Sequence, residues 1–96
     1  MPPSSDAGVA ERVVVLPKAL HARPAGQLAQ LAGRHKDATI QLVAGEKKAN
    51  ARGVLAVMAM GAVTGTEVTV TVTGPDADAV ADEAARILTA AEADES

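Results

Sequence analysis

The chain is 96 residues long, 48% of its residues are hydrophobic, and it contains no cysteine and no Phe, Tyr or Trp. This length fits one small domain, and the missing cysteines exclude a disulfide scaffold, a thiolate nucleophile and a Cys-ligated metal site. A net charge of −3 without stacking aromatics argues against a nucleic-acid partner, and no apolar run approaches the ~18 residues that span a membrane.

Residues 1–10 are predicted to form a disordered N-terminal tail, because they combine Pro, Ser and Gly with few apolar side chains. They lack the basic and apolar regions of a secretion signal, so a cytoplasmic protein is expected. No linker or repeat divides the rest of the chain, and one folded domain is predicted over residues 11–92.

The first half of that domain predicts one strand and one helix. A β-branched run over Arg12–Leu16, stopped by Pro17, predicts the strand. Apolar residues at helical spacing predict a helix from Pro24 to about Arg34, with Leu28 on its buried stripe. Proline is tolerated there because the first turn of a helix has no partner for its N–H.

Two further strands and a short helix follow. Alternating side chains predict a strand over Thr39–Val43, with Ile40 and Leu42 facing inward, and a tight connection leads into another over Lys47–Asn50. An apolar helix is predicted over Val54–Met60. It lies between Gly53 at the N-cap and Gly61 after the last turn, two positions that favour glycine.

The last strand and helix complete the fold prediction. Valine and threonine alternate over Glu67–Thr73, which indicates a strand with one buried and one wet face. The buried stripe of the final helix is predicted at Val80, Ala84, Ile87 and Ala91. The order βαββαβα predicts an α+β open-faced two-layer sandwich, in which three helices cover one face of a four-stranded antiparallel sheet.

The chemically informative segment is Leu20-His21-Ala22-Arg23-Pro24-Ala25. His21 directly precedes a helix, where the N–H groups of Ala22 and Arg23 and the positive end of the dipole favour an anion the size of phosphate. The same environment disfavours imidazolium, so a neutral, nucleophilic imidazole is expected near pH 7. Arg23 adds a cation that can pair with phosphate oxygens. These features suit a histidine that accepts a phosphoryl group.

The two histidines also allow simpler interpretations. A single histidine at a helix start is more often an ordinary cap or surface residue. His21 and His35 have no carboxylates at metal-ligand spacing near them, so no metal site and no cofactor are expected. Residue spacing alone leaves the choice between a cap and a phosphoryl acceptor open.

Three motifs resemble HPr, the histidine-containing phosphocarrier family of the bacterial phosphotransferase system. The first is the segment around His21. The second runs from Asn50-Ala51-Arg52-Gly53 to Gly61 and is similar to the family's Asn-Ala-Lys-Ser-Ile and the following Met-x-Leu-Gly helix. The third is the glycine-bounded run from Gly65 to Asp76. The resemblance covers residues from Val13 to about Ala91.

The resemblance implies a role for individual residues. His21 matches the histidine that carries phosphate on Nδ1, and Arg23 matches the arginine that neutralises the phosphoryl group. Five further residues match family positions that lie beside the site or dock on partners: Pro24, Leu28, Val54, Leu55 and Met58. For Val57 and Met60, core packing is the preferred interpretation.

The implied function is that of a monomeric phosphoryl carrier rather than an enzyme, with an enzyme I-like donor and an EIIA-type acceptor. Two alternatives stay open: a regulatory protein of the same fold that only binds partners, and a carrier for a nitrogen-related or dihydroxyacetone branch. One departure from the family concerns regulation. Gly53 stands where many members have a serine, so phosphorylation by a serine-directed kinase is not expected.

Overall fold

A computed structural model describes residues 8–17, 19, 20 and 22–90 of the chain. Four strands and three helices follow one another in the predicted order βαββαβα. Their bounds are β1 Val9–Val15, α1 Ala22–Arg34, β2 Thr39–Ala44, β3 Lys47–Asn50, α2 Val54–Ala59, β4 Glu67–Thr73 and α3 Ala77–Ala90. Within the described residues, no helix is long and apolar enough to cross a bilayer.

The sheet is antiparallel throughout, with strand order β1-β4-β2-β3. Its register aligns the inward residues in rows, so that Val70 of β4 lies between Arg12 of β1 and Leu42 of β2. Val68, Val70 and Val72 are fully buried, as are Ile40 and Leu42. The β4 threonines between the valines lie on the opposite, open face. The predicted α+β open-faced sandwich is confirmed, and the alternation of β2 and β4 already assigned the faces of these two strands.

The ends of several elements differ from the predictions. β1 begins at Val9, inside the segment predicted as a tail, because Ala10 pairs with Val72 and is buried. The predicted boundary at residue 10 therefore falls too late, while residues 1–7 lie outside the described chain. α1 begins two residues before Pro24, and α2 ends one residue before Met60.

The buried stripe of α3 also differs in part. Val80 and Ala84 are buried as predicted, whereas Ile87 is only partly buried and Leu88 takes its place in the core. Ala91 lies outside the described residues. A helix that packs on both the sheet and α1 buries a wider arc than a single stripe, which explains why two adjacent positions, 87 and 88, both contact the core.

Arg12 is a charged residue in an inward row of the sheet, opposite Val70, and it lies half-buried at the edge. Its Nε donates to Asp82 of α3 at 2.9 Å, and Nη2 lies 3.5 Å from Asp78. Nη1 donates to the backbone carbonyl of Glu11 at 3.0 Å. The hydrogen bond to Asp82 raises the pKa of Arg12 above its ordinary value. Arg12 thus fastens the edge strand to α3.

Candidate functional site

The segment that leads into α1 is held by the loop that follows α2. The Leu20 amide donates to the Ala62 carbonyl at 3.0 Å. The Leu16 amide donates to the Thr66 carbonyl at 3.0 Å, and the Leu16 carbonyl accepts from the Gly65 amide at 2.8 Å. The loop 61–66 therefore determines where the chain enters α1.

His21 itself lies outside the described residues, as does Lys18. Its neighbours are described: Leu20 is buried, and Ala22 and Arg23 are the first two residues of α1. The sequence therefore places the histidine directly before the helix. Amides at this end of a helix are not used by its own hydrogen bonds, and the dipole is positive there.

The charge at this helix start favours an anion. The first turn of α1 contains no acidic residue, whereas the first turn of α3 contains Asp78. Arg23 is exposed and adds a positive charge at the second helical position. An anion at the start of α1 therefore meets the helix dipole and a guanidinium, with no carboxylate in that turn to repel it.

Two residues predicted to face partners belong instead to the core. Pro24 is buried, and Leu28 has no exposed surface at all. Both lie on the α1 stripe that also contains Ala25 and Leu31. Direct contact with a partner is therefore not available to either side chain. This corrects the two assignments, and the helical spacing that put Leu28 on the buried stripe was the better guide.

The other predicted contact residues are accessible on α2. Leu55 is 80% exposed and Met58 is 38% exposed, and their spacing of three residues places them on one side of the helix. Val54 is partly buried against the core. We call Val54, Leu55 and Met58 the docking patch. Core packing is confirmed for the two neighbours, since Val57 and Met60 are both buried.

One accessible apolar residue near the site was not predicted. Val63 is 58% exposed and belongs to the loop 61–66 that holds Leu20. Its amide donates to Thr66 Oγ1 at 3.1 Å and its carbonyl accepts from the Thr66 amide, which fixes the turn. A valine between Gly61 and Gly65 in a polar loop is a weak sequence signal. Its proximity to the start of α1 depends on contacts distant in sequence.

Gly53 and Gly61 bound α2 as predicted. Gly53 is the N-cap, has extended backbone angles and makes no side-chain cap. Gly61 has φ +66°, a conformation that glycine adopts without strain, and its amide donates to the Met58 carbonyl. His35 follows α1 and is half-buried. Among the described residues, no group of three or more His, Cys, Asp or Glu side chains could hold a metal ion.

The fold and this site define a class of protein: an open-faced α+β sandwich with a histidine directly before its first helix and an apolar patch on a short second helix. The family model described as the PTS HPr component phosphorylation site matches residues 10–90. The chain belongs to this HPr family, which confirms the resemblance found in the sequence.

Individual relatives agree with this. The phosphocarrier protein HPr of Mycoplasma capricolum is 46% identical over 59 residues, which are 62% of this chain and 65% of that protein. The phosphocarrier protein HPr of Treponema pallidum is 44% identical over 69 residues, covering 71% of this chain and 77% of the other. The crystal structure of a phosphocarrier protein HPr from Bacillus anthracis superposes with a TM-score of 0.76 at 27% identity, covering 85% of this chain and 99% of that one.

Proposed function

We propose that this chain is a phosphoryl carrier of the phosphotransferase system, which accepts a phosphoryl group on Nδ1 of His21. The donor would be the phosphohistidine of an enzyme I-type protein, and the acceptor an EIIA-type protein. The observation that carries the proposal is the position of His21 directly before α1 in a chain of the HPr family. The related proteins that are named as phosphocarriers support it.

The transfer needs only one bond made and one broken. The Nδ1 lone pair of neutral His21 attacks phosphorus in line, and the phosphorus–nitrogen bond to the donor imidazole breaks. The donor imidazole, which carries a proton on its other ring nitrogen, leaves with that electron pair as a neutral ring, and phosphorylated His21 keeps the proton on its Nε2. The second transfer repeats this in reverse, with the acceptor as nucleophile and His21 as leaving group. The protein is consumed and regenerated as an intermediate, so it is a carrier rather than an enzyme.

The start of α1 supplies the electrostatic part of the mechanism. The transferring group spreads negative charge over three equatorial oxygens. The amides of Ala22 and Arg23, the helix dipole and the Arg23 guanidinium would stabilise that charge, with no acidic residue in the first turn to oppose them. Fixed positive groups in a site that a partner shields from water are worth more than the same groups in solvent.

The charge distribution of the chain indicates what kind of partner surface fits. Residues 18–52 contain seven Lys or Arg and two Asp or Glu. Residues 67–96 contain one Lys or Arg and eight Asp or Glu. Residues 53–66, which include the docking patch and Val63, carry no charged side chain. We infer that partners present an apolar centre to α2 and acidic groups to the basic segment around it. Such complementarity mainly raises the association rate.

Regulation and location follow as further proposals. Gly53 has no hydroxyl, so the N-cap of α2 cannot be phosphorylated and His21 is the only switch we propose for the domain. The carrier is proposed to act as a monomer in the cytoplasm, as expected from the sequence.

The test is incubation with phosphoenolpyruvate and a bacterial enzyme I, followed by intact mass. Wild type is expected to gain one acid-labile phosphoryl group. His35→Ala should gain the same group, whereas His21→Ala should gain none. A phosphorylated His21→Ala variant would show that another residue is the acceptor, and an unmodified wild type would contradict the proposed function.

A further inference from the structure

Arg52 has no part in the phosphoryl chemistry proposed above, yet its side chain joins two elements. It lies in the turn between β3 and α2. Its Nη2 donates to the backbone carbonyl of Lys36 at 3.1 Å and lies 3.4 Å from that of Ala38. Both carbonyls belong to the connection between α1 and β2. One guanidinium therefore links the beginning of α2 to the end of α1.

The backbone of Arg52 is itself well placed for this contact. The Ala51 amide donates to the Ile40 carbonyl at 2.9 Å, which ties the turn to β2. The Asn50 side-chain oxygen accepts from the Arg52 amide, and the Asn50 carbonyl accepts from the Gly53 amide, both at 2.9 Å. The turn is thus fixed on both sides of Arg52, and its side chain need only extend to the two carbonyls.

The helix that follows has little else to hold its first turn. α2 is six residues long, its N-cap Gly53 makes no side-chain bond, and Val57 is its only buried residue. A helix this short is unstable without tertiary contacts. The far end of α2 continues into the loop 61–66, which is bonded to Leu16 and Leu20. The near end is held by the turn, by the partly buried Val54 and by Arg52.

We propose that Arg52 is a positioning residue that holds α2, and with it the docking patch, in a fixed relation to α1 and His21. The proposal rests on the proposed function for its effect on transfer, but not for its effect on α2. The guanidinium suits the position because its cation lies at the negative end of the α1 dipole. Its planar, fixed donors also order two carbonyls at a smaller entropic cost than a flexible ammonium.

The test compares Arg52→Ala and Arg52→Lys with Arg34→Ala as the matched control. Arg34, at the end of α1, is also an exposed arginine, and its Nη2 lies 3.9 Å from Glu83 Oε2. Hydrogen exchange is followed at the amides of Val57 in α2 and of Met60 and Gly61 just after it, whose acceptor carbonyls lie in residues 53–58. Steady-state kinetics of phosphorylation by enzyme I then separates KM from kcat.

We expect exchange at these three amides to be about fivefold faster in Arg52→Ala, the size expected for one net hydrogen bond. Exchange in β4 should be unchanged. KM for the carrier should rise by a similar factor with kcat unchanged, because His21 and Arg23 are untouched. Arg52→Lys should fall between wild type and Arg52→Ala. Arg34→Ala should match wild type in exchange at these three amides; its KM measures what the loss of one charge from the basic segment contributes, and KM of Arg52→Ala should exceed it.

Unchanged exchange at α2 in Arg52→Ala would overturn the proposal, whatever the kinetics. Faster exchange with unchanged KM would overturn the link to docking. If wild type accepts no phosphoryl group, the proposed function fails, and the exchange measurement still decides whether Arg52 holds α2.

Discussion

Leu28 and Leu55 provide a matched pair of substitutions, because the same side chain occupies opposite environments. Leu28 is fully buried on α1 and Leu55 is 80% exposed on α2. Truncating a fully buried leucine to alanine costs about 3 kcal/mol, through lost burial and the cavity left behind. For a domain of this size that lowers Tm by about 10 °C or more. Leu28→Ala should therefore melt early.

Leu55→Ala should behave in the reverse way. Its side chain has little burial to lose, so the free energy of unfolding should stay within about 0.5 kcal/mol of wild type. If Leu55 anchors a partner, the loss of its contact should weaken enzyme I binding by about tenfold, equivalent to ~1.4 kcal/mol. Leu28→Ala, measured well below its Tm, should bind with wild-type affinity.

The assays are thermal unfolding followed by circular dichroism and titration of enzyme I at 15 °C by calorimetry. Leu28→Ala should have the lower Tm and Leu55→Ala the weaker binding to enzyme I. A stable Leu28→Ala variant with weakened binding would show that Leu28 contacts the partner after all. Wild-type affinity in Leu55→Ala would place the interface away from the docking patch.

Three further substitutions test other parts of the site and fold. Arg23→Ala should slow phosphoryl transfer by about tenfold, as expected for the loss of ~1.4 kcal/mol of transition-state stabilisation. Its Tm should change by only a few degrees. Wild-type rates in rapid-quench experiments would refute the role of Arg23. Gly53→Ser should gain one phosphate from a serine-directed HPr kinase and ATP, whereas wild type should gain none; a stoichiometric phosphate on wild-type residues 50–66 would contradict this. Gly74→Ala should destabilise the domain by more than about 1 kcal/mol. The φ of Gly74 is +133°, and an added Cβ would lie 2.7 Å from the Asp37 carbonyl oxygen and 2.8 Å from Ala38 Cα. An unchanged urea midpoint would show that the chain relaxes there.

The sequence predicted best those elements whose pattern is local. β4 alternates strictly, and its bounds Glu67–Thr73 agree with the prediction at both ends. The start of β1 was missed because Val9 and Ala10 follow a segment that resembles a tail. Only their pairing with Thr73 and Val72, more than sixty residues away, makes them a strand.

In the candidate site, too, local patterns were predictable from the sequence and long-range contacts were not. His21 and Arg23 were predicted from adjacent residues in one motif, and α1 begins two residues before the predicted start at Pro24. The contacts of Arg52 with Lys36 and Ala38, and of the loop 61–66 with Leu20, join residues at least 14 positions apart. No periodicity or spacing reports such contacts. The resemblance assigned Leu28 to docking, although its helical spacing already indicated the core.

The attachment of Arg12 has a consequence for the free edge of the sheet. The carbonyl of Gly8 and both backbone groups of Leu16 bond toward the β4 side, so the alternate residues between them direct their backbone groups away from the sheet. These residues are Val9, Glu11, Val13 and Val15. Among the described elements no strand pairs with this row, and such amides and carbonyls beside exposed valines are a template for aggregation. Arg12 already occupies the Glu11 carbonyl, near the middle of that row, while Asp82 holds its guanidinium. A foreign strand must compete with Arg12 for that carbonyl to add there, so β1 carries its own partial edge protection.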